Sequence, residues 1–109
     1  MPLIVVGLTT LTIPNAASTS NAIATLDDAF GLTVYGPTAV TSTAITIQVN
    51  PSETSTSGWV DLQSAGTDVT LPAAKATVIS PITFRQMRLV ASGLEAASRA
   101  FPVTKSVLT

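Results

Sequence analysis

Few side chains in this 109-residue chain can do chemistry, and their spacing narrows the choice further. There is no His and no Cys. Without His a Ser-His-Asp relay cannot be assembled, and the usual zinc and catalytic metal sites lose their donors. Among the acids, Asp61 and Asp68 are the one conceivable pair for two-carboxylate glycoside hydrolysis, which needs acids across a cleft. Both stand in or beside strand–turn positions and read as turn and edge residues. Asp27-Asp28 offers adjacent carboxylates to calcium, but no Asp-x-Asp-x-Asp-Gly loop surrounds them, so they read as a solvated loop pair. Ser80 with Lys75 has no supporting motif for a Ser–Lys nucleophile. The six Gly are isolated turn formers and make no phosphate cradle. The sequence therefore predicts no enzyme, no cofactor and no metal.

The residues left for function are ones that bind. Trp59, the only Trp, follows a Ser/Thr-rich loop. There it is either a sugar-stacking ring or a buried anchor or interface residue, the role in which aromatics dominate interface cores. Arg85 and Arg88 are three apart in an expected strand and so face opposite sides. One is expected to be exposed; the other is paired inside the fold, with Asp61 as a candidate, or sits at a subunit contact. Met87 and Leu89 share the Arg85 face, and Phe84 and Val90 share the Arg88 face, leaving open which face is core. A strand apolar on both sides is expected to be covered on both. Trp59, Arg85, Met87, Arg88, Leu89 and Arg99 are the candidate interface residues.

The composition suits such a role. The chain is 46% apolar and only 10% charged, against roughly 25% charged in an average domain, and its mean hydropathy is +0.50. Its outward faces must be coated with Thr, Ser and Ala. A surface so weakly hydrated is expected to be largely covered by other subunits. The longest apolar run, Leu3-Ile4-Val5-Val6-Gly7-Leu8, falls far short of the ~20 residues that span a bilayer, and it has no signal-peptide flanks. A net charge of −1 recommends no nucleic acid, and the absence of Cys leaves the redox compartment open. Charge is unevenly distributed along the chain. Asp27, Asp28, Glu53, Asp61 and Asp68 (−5) precede Lys75, Arg85, Arg88, Arg99 and Lys105, which with Glu95 sum to +4. The two segments either form opposed faces able to dock head-to-tail or interleave and pair across strands.

Stepwise apolar/polar alternation predicts strands over 3–13, 32–35, 42–50, 59–63, 68–71, 75–80, 82–90 and 101–108, punctuated by Gly and Pro. Residues 15–31 read mostly as loop or extended arm, and 92–100 as a hairpin loop or helical turn. About eight short antiparallel strands with no amphipathic helix predict one all-β domain over 1–109, a β-sandwich or jelly roll.

Several stretches resemble small structural proteins of tailed bacteriophages: Gly58-Trp59-Val60-Asp61-Leu62-Gln63, Thr67-Asp68-Val69-Thr70-Leu71-Pro72-Ala73, Phe84-Arg85-Gln86-Met87-Arg88-Leu89 and Arg99-Ala100-Phe101-Pro102-Val103. By size and composition the chain is most similar to head decoration (cement) proteins. The resemblance implies a non-enzymatic virion protein, made in the host bacterial cytoplasm and carried on the capsid surface. Its partners would be the major capsid protein or another virion protein and further copies of itself as a dimer or trimer, with segment 14–31 serving as an arm. A tail or connector position belongs to the same class. The competing resemblance is to carbohydrate-binding jelly rolls of the discoidin or galactose-binding type, in which the Arg-containing strand 84–89 and the loop before Trp59 would form a sugar site.

Overall fold

Alternation builds the strands where both faces have work to do. In the computed structural model, which describes residues 2–24, 26 and 28–108, β3 (Ile45–Asn50) buries Ile45, Ile47 and Val49 and leaves Thr46 and Gln48 half-buried on the other face. The other strands are β1 (Leu3–Ile13), β2 (Gly31–Tyr35), β4 (Val60–Asp61), β5 (Gln63–Ser64), β6 (Thr67–Asp68), β7 (Ala76–Ile79), β8 (Gln86–Ala91) and β9 (Arg99–Leu108). The chain is all-β.

Two sheets face one another. One has the order β1-β9-β2-β7 and the other β4-β3-β8, with β5-β6 a separate small hairpin. All pairings are antiparallel. The second sheet gains a further, irregular strand from residues 18–23, through antiparallel bridges Thr19↔Val90 and Ile23↔Met87. The chain thus passes between sheets at nearly every connection, and the strand order is that of a jelly roll, two Greek keys wound together. Leu11, Ile13, Phe101 and Val103 from one sheet meet Ile47, Met87 and Leu89 from the other in a single core.

Three expectations change. Segment 14–31 is not a projecting arm over 18–23. Ser20 N–H donates to Leu89 C=O, and Ile23 and Met87 exchange backbone bonds, while Ile23 and Leu26 enter the core. The expected strand 82–90 is regular only from Gln86. Phe84 and Met87 are both buried although three apart, which a flat pleat forbids; the pleat therefore breaks at Arg85, whose N–H turns to Asn50 C=O. Residues 92–98 do not close a hairpin, because β8 and β9 belong to different sheets.

The acidic and basic segments interleave. Lys105 Nζ lies 2.7 Å from Asp28 Oδ1, and Arg85 pairs with Glu53. Two ion pairs thereby join the acidic and basic segments within the chain.

Candidate docking surfaces

The sequence's catalytic candidates do not converge. Asp61 Oδ1 accepts from Gln48 Nε2 at 3.3 Å, and Asp68 Oδ1 from Gln63 Nε2 at 2.9 Å; each is an exposed carboxylate with an amide partner of its own. Asp28 is held by Lys105, whose ammonium bond keeps its carboxyl below the usual range; Asp27 lies outside the described residues. Among the described residues no three His, Cys, Asp or Glu gather where they could hold a metal ion. Among the described residues no helix is long and apolar enough to cross a membrane.

The outer face of the β4-β3-β8 sheet carries Trp59. The Arg88 guanidinium stands 4.4 Å from the ring centroid, close enough for cation–π attraction. Arg88 also donates from Nε (2.9 Å) and NH2 (2.7 Å) to Gln48 Oε1, and Gln48 passes its own Nε2–H to Asp61. Of the two arginines, it is Arg88 that reaches Asp61, the candidate partner, and it does so through Gln48. The register makes this possible, since β3 places Gln48 opposite both Arg88 and Asp61.

The other interface candidates separate. Met87 and Leu89 are fully buried and so cannot contact another subunit; this settles which face of β8 is core. Arg85 is exposed and engaged with Glu53. Arg99, half-buried, joins a cluster built around buried Glu95. Its Nε donates to Glu95 Oε1 at 2.9 Å and its NH2 to Thr41 Oγ1 at 3.0 Å. Glu95, a fully buried acid, also accepts the N–H groups of Thr41 and Ser42, both at 2.8 Å, and the Ser42 hydroxyl. Burial opposes its charge, but these four donors outweigh burial and pull its carboxyl down to about 2. The Glu95 backbone accepts from Ala16 N–H and donates to Ala17 C=O. One side chain and its peptide thus tie together segments 16–17, 41–42 and 95–99. In the sequence Glu95 stood out only as the lone acid among the late bases.

The largest apolar exposure lies where no candidate was expected. Leu3, Ile4, Val5 and Val6 of β1, with Phe30 and Leu108, are all exposed. Leu3 pairs with Leu108 and Ile4 with Val107, and Phe30 N–H joins Ser106 C=O beside them, so these residues gather at one end of the sheet, Leu3 and Val5 on one face and Ile4 and Val6 on the other. The Lys105–Asp28 ion pair rims it. The rest of β1 behaves differently, with Leu11 and Ile13 wholly buried. Between the two halves the register slips at Gly7/Thr9, a β-bulge. An exposed patch of this kind with a polar rim marks an interaction surface. The sequence signal for it was the Leu3–Leu8 run, which read only as part of strand 3–13, because hydropathy does not say which half of a strand outruns its partner sheet.

No protein-family model matches the chain, and no curated protein matches it significantly.

Proposed function

We propose that this chain is a non-enzymatic structural protein of a tailed-phage virion, a head decoration protein that docks on assembled major capsid protein. The observation that carries this reading is the apolar tip of β1 and β9, set on a surface rich in Thr, Ser and Ala. Jelly rolls are a common architecture of viral capsid domains, which supports the class by analogy alone. Binding to the lattice and not to loose capsid subunits would stabilise the shell by mass action. The capsid surface is then its location after synthesis in the bacterial cytoplasm.

The test is co-sedimentation of the purified protein with heads of the phage that encodes it, followed by heat challenge. Saturable binding to heads with a raised disruption temperature supports the reading. Binding to tails alone moves the protein to a tail or connector position, and no binding to any particle sinks the virion assignment. A second reading, carbohydrate binding, is favoured by Trp59 beside the Gln48–Asp61–Arg88 relay, polar groups next to an aromatic plane. Arg88 already covers one face of that ring, so a sugar would have to use the other. Quenching of Trp59 fluorescence across a glycan panel, without particle binding, would establish this second reading instead.

A further inference from the structure

β1 is an edge strand whose outer rim is treated in two ways. At its inner end the rim is capped, because Asn21 Oδ1 accepts Thr12 N–H at 2.8 Å and Asn21 Nδ2 donates to Thr10 C=O at 3.5 Å. One side chain there takes the place of a neighbouring strand. Over Leu3–Gly7 no strand among the described residues lies on the outer side of β1. The direction of the backbone groups follows from the register. Val5 is opposite Ser106, and Ser106 C=O is turned away from β1 to accept Phe30 N–H. Antiparallel partners either face each other or both face away, so the Val5 N–H and C=O point outward. With no slip between Leu3 and Gly7, Leu3 and Gly7 point outward with it.

Folded proteins usually protect such an edge with Lys, Pro, a short strand or a bulge. The opposite edge of the same sheet follows that rule. β7 is only Ala76–Ile79, with Lys75 at its start and Pro81 just past its end. Leu3–Gly7 carries no Lys or Pro within it; Pro2 and the bulge stand only at its two limits.

We propose that the Leu3–Gly7 edge pairs antiparallel with the same edge of a second copy, across a two-fold axis at Val5. Outward-facing residues must meet outward-facing residues, which sets Val5 opposite Val5, Leu3 opposite Gly7 and Ile4 opposite Val6. The charge pattern meets the condition that pairing with a second copy imposes. In a two-fold contact a charge near the axis meets its own like, so self-pairing demands a strand without charges. The sequence contains no charged side chain before Asp27. Every facing pair is then apolar on apolar or apolar on Gly, and a Cβ-free Gly7, with nothing near its Cβ position, leaves room for Leu3. The two four-stranded sheets become one continuous sheet, and the two tips merge into a single larger patch. This goes beyond the decoration reading and does not depend on it. Self-pairing is measured on pure protein, so failure of head binding leaves it standing, and its own failure leaves head binding open.

The experiment is light scattering of the purified chain over a concentration series, with three variants. Wild type is expected to run as a dimer. Val5→Lys sets two ammonium groups on the axis and should weaken the dimer by roughly a hundredfold, with recovery at high salt. Val78→Lys, on the opposite edge, should leave it unchanged. Val5→Cys gives a chain with a single thiol, placed about 5.5 Å Cα to Cα from its mate, within disulfide reach. Diamide, taking two electrons and two protons from the two thiols, should convert it to a covalent dimer. A wild-type monomer at every concentration, a dimer indifferent to Val5→Lys, or Val5→Cys that does not cross-link would each overturn the proposal.

Discussion

The β1–β9 ladder has two ends, and they are built on opposite principles. At the Ile13/Arg99 end the inward face and the outer rim are both committed. Leu11, Ile13 and Phe101 are wholly buried, Asn21 caps the outer rim, and Glu95 pins Arg99 and three segments of chain. At the Leu3/Leu108 end the same two strands run on with almost nothing against them. The sequence is as apolar at the bare end as at the packed one. Apolar residues in a strand therefore stabilise this domain only where the second sheet reaches them; beyond that point they are available to something else.

Substitutions can break this contrast at its strongest point first. Leu11→Ala at the packed end should cost about 3–4 kcal/mol, read from urea unfolding, since it opens a cavity in the shared core. The pin should show next, as a pH dependence. Glu95 has a folded value of about 2 against an ordinary 4.5, so the folded state holds fewer protons and is favoured above the ordinary value. That stability is present above about pH 5 and drains as pH falls through 2, a loss of roughly 3 kcal/mol. Glu95→Gln should flatten that acid limb while lowering stability at pH 7; an unchanged limb would mean that another acid controls it. Asn21→Ala strips the rim of the packed end and should cost about 1 kcal/mol, with faster hydrogen exchange at the Thr12 amide. Last, Val5→Ala should shift the unfolding of dilute protein by no more than about 0.5 kcal/mol. A larger loss there would show that the bare end is packed after all.

Much of the fold could be read from residue order, and particular residues show where that reading stopped. Ile45-Thr46-Ile47-Gln48-Val49 announces a strand with one buried face, and the Gly and Pro positions marked most turns. Residues 18–23 hid their role because their link to β8 runs through backbone groups and the Ser20 hydroxyl, which donates and accepts without an alternating apolar signature. Phe84 and Met87 gave contradictory phases because the pleat breaks between them. For the docking surfaces, Trp59 and Arg88 could each be singled out, but not their contact, which depends on cross-strand register. Glu95 was hidden most deeply. Its partners Thr41 and Ser42 are more than fifty positions away, and no local pattern separates a solvated loop acid from one folded into the interior.

The Leu3↔Leu108 pairing also sets terms for handling the protein. Whatever is joined before Leu3 or after Leu108 leaves the molecule from one spot, at the margin of the apolar tip. A purification tag or fluorescent fusion at either end would therefore crowd that tip, and assays of self-association or particle binding call for tag-free material. Cargo is better inserted in the exposed β5–β6 turn at Ala65-Gly66, which lies in a separate hairpin outside the two main sheets.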